Sequence, residues 1–197
     1  HGEGEYECVL FASSGTGAVE ACLSSVVPED KSVLIINNGA YGVRMQQICS
    51  YFSISSIEYK VDWGEPIDFT VLDAMLADHR EDLSHIAFVH HETTVGLLNS
   101  IDKVSELASR YNLEIIVDAM SSFAGIPIDV KRQNVHYLVS SSNKCIQGMP
   151  GIGIVICKRD SLHRSREIRQ RNFYFNLYEN YRFFNERKEM QFTPPVQ

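Results

Sequence analysis

The sequence predicts an α/β protein of three layers, with helices on both faces of a mostly parallel sheet of about seven strands. Three observations predict it. Short apolar runs alternate with longer stretches of helical period, the pattern of strand–helix–strand crossover units. Several runs are continuously apolar rather than alternating, the mark of strands covered on both faces. The chain has 197 residues and is 44% apolar, enough for one domain with a substantial core.

Taken in order, the first strand is CVLFA at 8–12, followed by a helix over 17–26 with Ala18, Val19, Cys22 and Val26 on one side. Strands at 32–37 and 55–61 (SSIEYKV) come next. In 68–79, Phe69, Leu72, Met75, Leu76 and His79 recur at intervals of three and four, which predicts a helix. A strand at 85–90 (HIAFVH) precedes a helix over 101–111, where Ile101, Val104, Leu107, Ala108 and Tyr111 keep the same period. The strand at 113–118 is followed by two more, 135–140 (VHYLVS) and 152–158 (IGIVICK). Residues 161–191 are rich in Arg, Phe and Tyr and predict a helical segment, which ends at Thr193-Pro194-Pro195. Such composition suits an interface or domain junction; a helix packed on its own domain is the other reading.

Composition narrows the function. The net charge is −7 and Lys and Arg form no block, so nucleic acid and anionic membranes are not expected partners. No apolar run has the length of a membrane span. The five cysteines are scattered and free of CxxC spacing, which fits reduced thiols in a cytoplasmic protein better than disulfides or a zinc site. The first residue is His1 and a strand-like run follows almost at once, so the text is expected to begin inside a larger protein.

Three constellations carry chemistry. Ser13-Ser14-Gly15-Thr16-Gly17 lies between a strand and a helix, where free N–H groups, hydroxyls and the helix dipole can hold a phosphate. It lacks the third glycine of a dinucleotide fingerprint and the G-K-[ST] of a P-loop; alone, it fits a plain turn equally. Asp118 closes a very apolar strand, at the carboxyl edge where open α/β sheets bind ligands; a turn or capping aspartate is the competing reading. Lys144, at the exit of the next strand candidate, would lie over the same edge. A lysine in an enclosed site can lose its proton and act as a nucleophile; an exposed lysine is the alternative. Together the three match the needs of pyridoxal phosphate: a cradle for its phosphate, an acid to keep its ring nitrogen protonated, and a lysine to form an imine with its aldehyde. Tyr41 could stack on the ring or sit in the core. His90-His91-Glu92 is not HExxH, and no metal is expected.

The stretches NGAYGVRM (38–45), SHIAFVHHETTVGLLNSID (84–102), IIVDAMSSFAGIPID (115–129) and SSNKCIQGMPGIG (141–153) resemble those of the class V aminotransferases, fold-type I of the pyridoxal-phosphate enzymes, and the likeness runs nearly end to end. It implies that residues 1–160 form the cofactor-binding large domain, and that 161–197 lead to a small domain and a homodimer interface. It implies that Lys144 is the Schiff-base lysine with Asn143 beside it, that Asp118 pairs with the ring nitrogen, and that Met120 lies against the ring. Thr93 would reach the phenolic oxygen, Ser14, Gly15 and Thr16 the phosphate, and Thr193 the phosphate in the neighbouring subunit, with Tyr41 as the stacking aromatic. The implied activity moves an amino group from a small amine donor, 2-aminoethylphosphonate, to pyruvate. An alanine–glyoxylate type aminotransferase, an aminophosphonate lyase, or a non-catalytic large domain are the alternatives. Gly17 stands where a bulkier residue is commoner, and Val95 where a third threonine is usual.

Overall fold

The structure, a computed structural model, describes residues 4–194. In chain order the elements are β1 (Tyr6–Ala12), α1 (Gly15–Val26), β2 (Ser32–Asn37), α2 (Ala40–Tyr51), β3 (Ser56–Lys60), α3 (Phe69–Asp78), β4 (Leu83–Val89), β5 (His91–Glu92), β6 (Leu97–Leu98), α4 (Ile101–Arg110), β7 (Glu114–Asp118), β8 (Tyr137–Ser141), β9 (Ile152–Lys158), α5 (Arg159–Arg164) and α6 (Leu177–Arg187).

Seven strands form one sheet in the order β1-β9-β8-β7-β4-β2-β3. Pairing is parallel from β8 through β3, and β9 runs antiparallel to both β8 and β1. β1 and β8 therefore run the same way, and the carboxyl ends of β1, β8, β7, β4 and β2 share one edge. Every residue of β2 is buried, as its unbroken apolar run requires. Its side chains alternate between two cores: Ile35 joins Val19, Met45 and Val139 on one face, while Leu34 and Ile36 join Leu72, Leu76, Val104 and Leu107 on the other. Helices α1 and α2 cover the first face and α3 and α4 the second, which gives the three layers.

Side chains cap the starts of three helices, α3, α4 and, through Asn176, α6. Asp68 accepts the amides of Thr70 and Val71 at 2.9 and 3.2 Å, and Ser100 accepts that of Lys103 at 3.3 Å, satisfying donors that a helix start leaves open. Helix α2 was not expected. Its buried positions are Gly42, Met45, Ile48 and Cys49, too few and too mixed to give a clear apolar stripe. The segment 161–191 is only partly helical: after α5 comes a short 3₁₀ turn at Ser165–Glu167 and an irregular stretch before α6. Leu162 and Leu177 are buried in the first core, and Tyr178 and Tyr181 pack against it. Phe175 meets Phe11 edge to face, ring centroids 5.7 Å apart. A Cβ on Gly17 would come within 2.9 Å of Phe175, so the small residue here makes room for that ring.

Candidate active site

Asp118 ends β7 with Val89 of β4 on one side and Val139 of β8 on the other. It is 6% exposed. Its Oδ1 accepts the Met120 amide at 2.9 Å, and no ion pair forms with it among the described residues. Burial first, and then the buried carboxylate of Glu92, push its pKa up to about 6, against the Met120 hydrogen bond and the charge of Arg44.

Lys144 lies three residues past the end of β8, in a compact turn. Ser142 donates through its hydroxyl to the Met149 carbonyl at 2.5 Å, Gly148 N–H to the Ser142 carbonyl at 2.7 Å, and Gln147 N–H to the Lys144 carbonyl at 2.8 Å. Cys145 donates to the Ser121 carbonyl at 3.3 Å, tying this turn to the one after Asp118. Adjacent parallel strands thus bring Asp118 and Lys144 over one edge. The expectation of an enclosed lysine is corrected: the whole turn from Asn143 to Pro150 is exposed, and Lys144 with it.

Helix α1 starts at the same edge because β1 runs parallel to β8. Ser14 makes no side-chain cap, so the N–H groups of the first turn face outward without one. Gly15 is required by packing: a Cβ there would lie 2.3 Å from the Met120 sulfur. The start of α2 is held from elsewhere in the chain. Glu92, fully buried, accepts the Tyr41 amide at 3.0 Å through Oε2 and the Thr94 hydroxyl at 2.6 Å through Oε1. Tyr41 and Arg44 project from this first turn, with the guanidinium 4.9 Å from the Tyr41 ring centroid.

These parts surround one cavity of about 350 Å³. Ser14, Gly15, Thr16, Tyr41, Thr93, Asp118, Met120, Asn143 and Lys144 all line it. Thr193 does not; it is exposed and outside the cavity wall. Three residues of the site were given no role in it from the sequence, His91 and Glu92 having been weighed there only as a metal motif. Arg44 and His91 line the cavity, and Glu92 anchors Tyr41. All three stand inside the quoted motifs, yet what they do depends on contacts across the chain. No group of His, Cys, Asp and Glu among the described residues could hold a metal.

The family model for aminotransferase class V matches residues 3–192. The chain belongs to the class V aminotransferases. A 2-aminoethylphosphonate–pyruvate transaminase of Paraburkholderia phymatum is 40% identical over 197 residues, covering 100% of this chain and 52% of that protein. A bifunctional phosphonoacetaldehyde hydrolase/aminoethylphosphonate transaminase of Clostridioides difficile is 46% identical over 164 residues, 83% of this chain and 26% of that protein. Among solved structures, alanine–glyoxylate aminotransferase from Nostoc sp. superposes with a TM-score of 0.88 at 24% identity, over 96% of this chain and 50% of that one; it shows the shared fold. The chain spans about half the length, or less, of these curated relatives.

The cofactor of this class V aminotransferase is pyridoxal phosphate, and the cavity fits it. A carboxylate buried without a cation is costly, and a cationic ring nitrogen supplies the missing partner. The uncapped start of α1, with Ser14 and Thr16, suits a phosphate.

Proposed function

We propose that the whole protein is a transaminase that moves the amino group of 2-aminoethylphosphonate to pyruvate, giving phosphonoacetaldehyde and alanine. The observation that carries this reading is that Asp118 and Lys144, from adjacent parallel strands, line one cavity with the start of α1. The relatives named for this reaction lend it the substrates.

Bound in the cavity, pyridoxal phosphate supplies an aldehyde that captures amines and a cationic ring that draws electrons from the carbon bearing nitrogen. Asp118 would hold that ring's charge with its buried carboxylate. Tyr41 and Met120, which line the cavity, would lie against the ring, and Thr93 and Asn143 would offer it polar contacts. Lys144 would hold the cofactor through its amine, and that amine, once free, would take a proton from the substrate carbon beside nitrogen and later give one back, base and then acid. The exposed turn gives this side chain the freedom to do both.

We also propose a homodimer, in which the resemblance gives Thr193 a phosphate to reach in the partner. The exposed apolar side chains of Met149, at 68%, and Phe173, at 82%, support it. A cytoplasmic location is supported by five free cysteines; no helix among the described residues is long and apolar enough to cross a membrane.

The test uses the whole protein. Wild type should show the visible absorbance of lysine-bound cofactor, and borohydride should fix the cofactor on Lys144; Lys144→Ala should do neither. Assays with 2-aminoethylphosphonate, alanine and serine as donors identify the substrate. Turnover of alanine or serine but not of the phosphonate reassigns the donor within the family, and intact absorbance in Lys144→Ala ends the reading.

A further inference from the structure

Arg44 is an exposed cation in the cavity wall whose charge reaches Asp118. It follows Tyr41 by three residues on α2, so the two side chains lie on one face of the helix. Its guanidinium rests 4.9 Å from the Tyr41 ring centroid. Its hydrogen bond is a long one, Nη1 to the Thr16 hydroxyl oxygen at 3.4 Å. Arg132, Arg159, Arg164 and Arg182 each hold a carboxylate; Arg44 forms no ion pair among the described residues. It and Lys144 are the two basic side chains, Lys or Arg, that line the cavity, and Lys144 is committed to bonding with the cofactor.

We infer that Arg44 is the charged ligand of a phosphoryl dianion bound at the start of α1, against Thr16. An anion that accepts the Thr16 hydroxyl lies beside a guanidinium already within 3.4 Å of that same oxygen. A helix start offers roughly half a positive charge, which leaves most of a dianion unneutralised. The guanidinium fork matches two phosphoryl oxygens at once. Stacking on Tyr41 holds the side chain near that position without spending its donors.

The inference rests on the proposed function for the source of the dianion. The ester phosphate of pyridoxal phosphate is the source that Thr16 favours; the phosphonate of the amine donor carries the same chemistry. The experiment compares wild type with Arg44→Gln and Arg44→Lys in the whole protein, with circular dichroism to confirm that each variant is folded. Titrations with pyridoxal phosphate and with pyridoxal, which lacks the phosphate, separate the dianion from the ring. Arg44→Gln should bind pyridoxal phosphate roughly ten- to a hundred-fold more weakly, with pyridoxal binding unchanged, and Arg44→Lys should fall between.

Unchanged cofactor affinity with a raised KM for 2-aminoethylphosphonate, and not for a donor without phosphonate, assigns the dianion to the substrate and still upholds the site. Inorganic phosphate alone, followed by thermal shift, tests the site without either: stabilisation of wild type that Arg44→Gln loses upholds it even if no aldehyde is captured, in which case the proposed function alone fails. If Arg44→Gln matches wild type in the cofactor-to-pyridoxal ratio, in the phosphonate KM and in phosphate stabilisation, the inference is wrong.

Discussion

A β-carbon on Gly39 would stand 2.2 Å from the Cγ of Glu92, and the Glu92 carboxylate accepts the amide of Tyr41 two residues on at 3.0 Å. The missing side chain lets a buried carboxylate reach the start of α2. Gly39→Ala should therefore dislodge Glu92, which is fully buried and has no solvent to swing into. We expect a loss of about 1–3 kcal/mol in urea unfolding together with weaker cofactor binding, because Tyr41 loses its anchor. Glu92→Ala combined with Gly39→Ala should cost less than the sum of the two single changes, since both act on one contact.

Gly15→Ala makes a different test. The clash is with the sulfur and methyl of Met120, at 2.3 and 2.6 Å, and a thioether is flexible enough to move aside. The expected effect is a loss of stability under about 1.5 kcal/mol but a larger fall in cofactor affinity, because the displaced Met120 enters the cavity that both residues line. Met120→Ala should restore part of the affinity in the double variant. Equilibrium titration of the cofactor against all four proteins gives the coupling.

Acid should weaken the fold through two histidines. Burial lowers the pKa of His90 to about 4, helped by neighbouring His91, and burial lowers that of His136 to about 4 as well. Both rings are favoured neutral in the folded protein. Ile115 N–H donates to His136 Nδ1 at 3.1 Å, a bond that only the neutral ring can accept. A depressed folded pKa means that the stability is present above about 6.5 and is lost as pH falls from there towards 4. Each histidine should contribute on the order of 2 kcal/mol of that loss. His136→Gln should flatten the slope of unfolding free energy between pH 6.5 and 4; an unchanged slope would place the acid sensitivity elsewhere.

Much of this architecture could be read from local sequence. The runs VLII and IIV, at 33–36 and 115–117, are apolar without alternation because both faces of their strands are covered. The strand order follows less directly, yet the placing of Asp118 and Lys144 on one edge needs only that β7 and β8 be parallel neighbours, as they are. Helix α2 was hidden because its start is stabilised by Glu92, which lies 51 residues beyond Tyr41 in sequence; nothing within NGAYGVRM announces that contact. Arg44 was passed over for a related reason. An arginine in a sequence is ordinary, and only the structure shows that it forms no ion pair among the described residues while it lines the cavity. The exposure of Lys144 was equally illegible, since the turn around it is held by backbone carbonyls of residues that share no pattern.

Asp118 yields the prediction on which the site depends most. Its folded pKa is raised to about 6, by burial first and Glu92 second. A raised carboxyl favours the protonated form, so its contribution to stability is full below about 3.8 and is lost as pH rises through 6. Above that, the cofactor-free protein carries an ionised carboxylate that is 6% exposed, at a cost of up to about 3 kcal/mol. Asp118→Asn keeps an oxygen for the Met120 amide and removes the charge. Without cofactor, the variant should be the more stable protein at pH 8 and indistinguishable from wild type below pH 4. With pyridoxal phosphate the order should invert at pH 8, because a cationic ring nitrogen gains from the carboxylate and not from the amide. Paired denaturation curves with and without cofactor measure the crossing. If wild type without cofactor is already as stable at pH 8 as Asp118→Asn, the carboxylate meets its cation within the protein and is not waiting for one.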